Sequence, residues 1–111
     1  ESRDKELSKI VLDLKEMAKA LNVPVVLMSQ LSRDIEKRAN CRPMLCDLRE
    51  THGLEAHADV VIMLYRDEYY HPETEERGIA ELIVTKHRNG PVGTIKLLFE
   101  PQYTRYRNLA A

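Results

Sequence analysis

Only four glycines occur in the 111 residues, Gly53, Gly78, Gly90 and Gly93, and none belongs to a GxxxxGK[ST] sequence. The backbone cradle that such a loop offers to nucleotide phosphates is therefore absent from the chain. An excess of charge is lacking too. Lys and Arg number 17 against 18 Asp and Glu, a formal net charge of −1, which excludes a globally basic nucleic-acid binder and leaves any such contact to a local patch. No apolar run approaches the roughly 18 residues of a membrane span. Two cysteines and no signal peptide suggest a reduced, intracellular setting. The 43% hydrophobic and 32% charged content fits one soluble domain or part of one, and a chain this long buries about two-thirds of its unfolded surface. Residue 1 is Glu and a helical pattern is running by Leu7, so the chain reads as a piece of something longer.

Leu7, Ile10, Val11, Leu14, Met17, Ala18 and Leu21 follow the spacing of one helix face, and Asn22 and Pro24 stop the helix. Val25-Val26-Leu27-Met28 is an unbroken apolar run, the pattern of a strand buried on both faces, which predicts an α/β fold with a mostly parallel sheet. A second such run covers residues 60–64 after about thirty residues of polar loop and short helix, a spacing that suits a crossover unit. Residues 79–85 and 94–99 flank a tight turn, so the sheet is expected to end in an antiparallel hairpin, with residues 104–107 adding a short edge strand. Residues 66–78 form an acidic loop.

The octapeptide Lys86-His87-Arg88-Asn89-Gly90-Pro91-Val92-Gly93 joins the two hairpin strands. Asn-Gly predicts a type I′ turn, in which both residues take positive φ. Lys86 and Arg88 then lie one alternation apart and project to the same side. An Arg on a stiff tip can reach a neighbouring subunit's site and stabilise charge on a transferring phosphoryl group; the plain alternative is a solvated basic turn. In an open parallel sheet, ligands lie beyond the carboxyl ends of the strands. Gln30, at the end of the first apolar run, is placed there to orient a water or sense a terminal phosphate. Arg33, Lys37, Arg38 and Arg42 make the next loop basic, which fits either a solvated loop or a grip on a phosphate backbone. In Arg49-Glu50-Thr51-His52-Gly53 the small residues allow backbone amides close to phosphates, with Glu50 as an orienter.

Three patterns point elsewhere more weakly. Residues 60–65 followed by Arg66-Asp67-Glu68 resemble an apolar strand plus a magnesium-binding acid, but the acids follow a Tyr-Arg step. Cys41, Cys46, His52 and His57 have finger-like pair spacings, but only five residues separate the pairs where a classical finger has roughly twelve. Tyr69 and Tyr70 can stack on bases or serve in packing.

Four segments in order carry a resemblance: Leu21-Asn-Val-Pro-Val-Val-Leu-Met-Ser-Gln-Leu-Ser-Arg33, Arg42-Pro-Met-Leu-Cys-Asp-Leu-Arg-Glu50, Ala58-Asp-Val-Val-Ile-Met-Leu-Tyr-Arg-Asp-Glu-Tyr-Tyr70 and Lys86-His-Arg-Asn-Gly-Pro-Val-Gly-Thr94. Together they resemble the C-terminal half of the RecA-like ATPase domain of DnaB-type bacterial replicative DNA helicases, over nearly the whole chain. The resemblance implies a P-loop NTPase core that forms a homohexameric ring, with ATP at each subunit boundary. It implies that Lys86 and Arg88 reach in trans to that ATP, Arg88 as arginine finger, and that Gln30 senses the γ-phosphate. Arg49, Glu50 and His52 would line the channel against single-stranded DNA. His52 departs from the small residue common there, which makes its contact less secure than that of Arg49. ATP and Mg2+ would be held mainly by residues preceding this chain, so residues 1–111 alone are expected to be inactive. Primase and a helicase loader are implied as partners, in a cytoplasmic, nucleoid-associated setting. A RecA-class recombinase and a non-enzymatic DNA-binding or subunit-docking module remain the alternatives.

Overall fold

Asn22 ends the first helix by adopting φ 54°, which lets the Val23 amide donate to Ala18 O at 3.0 Å and the Asn22 amide to Lys19 O at 3.3 Å. This pair of bonds is a Schellman cap with asparagine in place of glycine. The computed structural model describes residues 2–109, and side chains for residues 5–48 and 54–109. Helix α1 is Ser2–Leu21. Two 3-10 helices follow at Arg33–Lys37 and Leu45–Thr51, the second running into α2, His52–His57. Strand β1 (Val60–Tyr65), the short helix α3 (Asp67–Tyr70), and strands β2 (Ile79–His87), β3 (Gly93–Glu100) and β4 (Arg105–Asn108) complete the chain.

The four strands form one sheet in the order β1-β2-β3-β4, and all three pairings are antiparallel. The α/β class, the closing hairpin and the edge strand agree with the sequence reading. The parallel pairing does not occur among the described residues. Two corrections explain why. Strand β1 pairs with β2 rather than with residues 25–28, and its burial alternates: Val61, Met63 and Tyr65 are buried while Val60, Ile62 and Leu64 are exposed. A uniformly apolar sequence hides that alternation. Residues 25–28 are not a strand at all; Val26 is 88% and Met28 89% exposed. Hydrophobicity signals a need for burial but does not supply the neighbour whose backbone completes a strand.

Leu48, Val61 and Met63 form the core cluster, with Leu31, Leu45, Leu54, Ala58 and Ile83 packed against it. The core thus lies between one face of the β1–β2 pair and the second 3-10 helix with α2, while α1 packs on α2 from outside. Among the described side chains of α1, Val11 is the buried one, with Leu7, Leu14 and Ala18 half-buried; Ile10, Met17 and Leu21 face outward, so the covered stripe is narrower than the periodicity suggests.

Candidate functional site

Val61 pairs with Lys86 but Ile62 pairs with Val84, so Thr85 is an extra residue in β2 and its hydroxyl donates to Val61 O at 3.3 Å. That β-bulge sets the direction of the hairpin tip. Ile83 faces the core, and simple alternation would turn Thr85 and His87 the same way; one inserted residue brings Lys86 to the helix side instead. Strand β3 pairs with β2 only as far as Val84↔Gly93, whereas Lys86 and His87 continue along β1. The tip is therefore held by β1.

The expected type I′ turn does not form. Neither Asn89 nor Gly90 has positive φ; the positive-φ residues among those described are Asn22, Gly78 and Thr104. The Gly90 amide closes a turn by donating to His87 O at 3.2 Å, leaving Arg88 and Asn89 at its centre. Pro91 biases the residue before it toward extended backbone. Glycine serves at position 90 for another reason: the His87 ring lies against its backbone, where a Cβ would overlap it, with Nδ1 3.1 Å from Pro91 O.

Both tip cations reach the same corner, through the bulge at Thr85 and not through the type I′ alternation that the sequence suggested. Lys86 Nζ donates to Glu55 O at 2.8 Å and Ala56 O at 3.4 Å, at the C-terminal end of α2. Lys15 Nζ, from α1, donates to His57 O and Asp59 Oδ1, both at 3.1 Å. Three carbonyls at the end of α2 thereby receive cationic donors, the sign favoured at a helix C-terminus. Arg88 is attached twice to Asp59: its amide donates to Asp59 O at 2.8 Å, and Nη1 lies 2.9 Å from Oδ1. The Lys15 hydrogen bond above all, reinforced by the charges of Lys15, Arg88 and Lys86, holds the Asp59 carboxyl below the usual range. The remainder of the Arg88 fork has no hydrogen-bond partner among the described residues, and its side chain is 46% exposed.

Gln30 stands apart. It is exposed in a segment without regular structure, and its side-chain amide meets no hydrogen-bonding partner among the described residues. The side chains of Arg49, Glu50 and His52 lie outside the described residues; their backbone forms the junction between the second 3-10 helix and α2. The basic loop before that junction is largely committed internally. Arg38 Nη1 and Nη2 hold Asp47 at 2.7 and 3.1 Å, and Nη2 also donates to Arg42 O at 2.8 Å. Arg42 clasps the buried Glu81 through two bonds of 3.1 and 2.8 Å while its guanidinium lies 4.6 Å from the Tyr65 ring centre. Arg42 fastens the loop to the sheet and Arg38 ties it to the second 3-10 helix, which leaves Arg33 and Lys37 as its outward cations.

The acids after β1 are also engaged. Asp67 accepts from Tyr65 Oη at 2.7 Å and from the Thr74 hydroxyl, and lies 3.0 Å from His71 Nδ1. The Thr74 and Tyr65 bonds lower its pKa to about 2. Glu68 accepts the Gly78 amide at 3.0 Å. Among the described residues no group of three His, Cys, Asp or Glu side chains is arranged to hold a metal ion. The Cys41 thiol is buried against Arg38 O at 3.3 Å. Tyr70 stacks on Tyr65 and meets Tyr69 edge-on, which is packing, although Tyr69 stays 66% exposed.

Comparison with known proteins decides the lineage. Residues 1–108 match the family model described as DnaB-like helicase C terminal domain. The chain belongs to that family. It is 49% identical over 109 residues to the replicative DNA helicase DnaC of Bacillus subtilis (strain 168), and 48% identical over 109 residues to the replicative DNA helicase DnaB of Geobacillus stearothermophilus. Each match covers 98% of this chain and 24% of the relative, so the chain spans about a quarter of those helicases. A solved ATPase domain superposes with a TM-score of 0.95 at 50% identity, covering 99% of this chain and 39% of that one. A DnaB-like replicative helicase, solved in a study of its interactions with primase, gives 0.94 at 50% identity, covering 99% and 27%.

Within this DnaB-like segment, the residues that sequence reading passed over are Lys15, Asp59 and Glu81. Glu81 left one usable signal, an acid inside the apolar run Ile79-Ala80-Glu81-Leu82-Ile83. Asp59 borders the strand and Lys15 lies 44 residues away, so only the fold reveals that they meet.

Proposed function

We propose that this segment belongs to a hexameric, ATP-dependent replicative DNA helicase that translocates on single-stranded DNA, with Arg88 as a trans-acting arginine finger. The observation that carries the reading is the hairpin tip: the bulge and β1 fix its direction, Asp59 holds one guanidinium nitrogen, and the rest of the fork is free for anionic oxygens. A planar fork of this kind fits the oxygens of a terminal phosphate. Lys86 has a secondary role, because its ammonium is shared with the α2 carbonyls. Gln30, exposed at the end of its apolar run, is free to face a phosphate. Arg49, Glu50 and His52 belong to the DNA-facing junction. Asp67 and Glu68 are committed to internal bonds, so Mg2+ would take its ligands from other parts of the full-length protein, and primase and a loader would be partners of the assembled ring.

The test is Arg88→Ala in a full-length helicase carrying this segment. Because the finger neutralises charge that grows in the transition state, kcat should fall roughly 10³- to 10⁵-fold with nucleotide affinity near normal. Lys86→Ala should cost less. Rings mixed from Arg88→Ala subunits and subunits disabled in their own phosphate-binding loop should recover turnover where two intact faces meet. If verified subunit exchange yields no more than the summed residual rates, Arg88 does not act across the boundary.

A further inference from the structure

The carboxylate of Asp59 touches Arg88 without occupying it. Only Nη1 lies at ion-pair distance, 2.9 Å from Oδ1, and the Arg88 amide donates to the carbonyl of the same residue at 2.8 Å. One residue therefore fixes both the main chain and the side chain at the centre of the turn. A bare aspartate beside the guanidinium would also cancel the charge that Arg88 needs. Lys15 removes that difficulty, because its ammonium lies 3.1 Å from the same Oδ1 and is itself anchored on His57 O. Aspartate and lysine balance, and the arginine keeps its charge. The corner faces a groove of about 350 Å³ formed by Lys15, Ala18, Lys19, Asn22, Val23, Pro24 and Asp59, so its carboxylate is not sealed in a core.

We propose that Asp59, balanced by Lys15, is a positioning residue that preorganises Arg88 for transition-state contact. The inference rests on the arginine-finger reading and assigns the group that aims the finger. An exposed arginine samples many rotamers, and holding one nitrogen beside a carboxylate that is 59% exposed but itself bonded to Lys15 removes part of that freedom before the phosphoryl group arrives. Asp59 does not touch the nucleotide; it acts through Arg88.

The experiment is a double-mutant cycle in a full-length helicase carrying this segment, read as ATP turnover with saturating single-stranded DNA, alongside ring assembly by analytical ultracentrifugation. Asp59→Ala should lower kcat about tenfold with KM for ATP within about twofold and the ring intact. Asp59→Asn keeps the shape and one acceptor, should fall by about three- to fivefold, and carries the test if the alanine variant fails to assemble. In an Arg88→Ala background neither substitution should slow turnover further. A loss of the same factor in both backgrounds overturns the proposal, because the effect would not pass through Arg88. Unchanged turnover in both Asp59 variants, with Arg88→Ala strongly impaired, overturns it while leaving the finger standing. A rise in kcat would mean that Asp59 withholds the finger, and equally overturns it. Normal turnover in Arg88→Ala would remove the finger reading itself, and the positioning role with it.

Discussion

Met63 and Met28 each sit in an unbroken apolar run, yet Met63 is 4% exposed and Met28 is 89% exposed. The difference lies in their neighbours. Strand β1 has β2 on one edge and, over its inward face, the second 3-10 helix and α2, so residues 60–65 are held by backbone bonds and side-chain packing together. Residues 23–30 have no strand pairing among those described. An apolar run is a statement about where a segment is stable, and a sheet position exists only when a partner backbone is beside it. The same contrast separates the two proposed phosphate-facing groups. Arg88 has main-chain and side-chain contacts with Asp59, while Gln30 lies in a segment without strand pairing among the described residues.

The strongest way to break this comparison is at the packed end. Met63→Ala removes a side chain from the centre of the core cluster, and a loss of about 2 to 5 kcal/mol is expected from urea unfolding of the chain. A loss below about 1 kcal/mol would mean that the β1–α2 contact is loose and that the tip is not held as described.

A smaller effect should appear with pH. The folded-state pKa of Asp67 is depressed to about 2 because the carboxylate accepts the Thr74 and Tyr65 hydroxyls. Stability from this group is therefore complete above its unfolded value near 3.9 and is lost as pH falls through about 2. Its side chain is 20% exposed, so roughly 1 to 2 kcal/mol is expected, less than the whole shift would imply. The stability difference between the wild-type chain and Asp67→Asn should shrink between about pH 4 and 2. A difference that persists unchanged at low pH would assign the role to shape rather than charge.

Local signals in the sequence were sufficient for several elements. The helix stop at Asn22, the hairpin flanking residues 86–93 and the edge strand near residues 104–107 all depend on neighbours in sequence, and they are found close to where expected. What was hidden depends on distant partners. Arg42 reads as one more loop cation until Glu81, 39 residues away, meets it on the sheet. The turn at Gly90 is not legible from Asn-Gly alone, because the pair carries two meanings: freedom for positive φ, and room for a close approach, here of His87. The bulge at Thr85 has no sequence signature, yet it decides which way Lys86 faces. Side-chain direction at the site was thus the least legible property, because a single inserted residue reverses it.

The smallest expected effect is the sharpest test of the comparison. Met28→Ala deletes as many atoms as Met63→Ala, but from a side chain that is 89% exposed. Nothing is uncovered and no cavity is made, so unfolding of the 111-residue chain should change by no more than about 0.5 kcal/mol. In a full-length helicase of this family the expectation differs. If residues 25–28 gain strand neighbours there, Met28→Ala should become costly, approaching the cost of Met63→Ala, and a hydrogen-exchange measurement should find the amides of residues 25–28 protected in the long protein and open in the short one. Equal protection in both would show that the segment is organised by this chain alone, and the contrast between the two methionines would lose its physical basis.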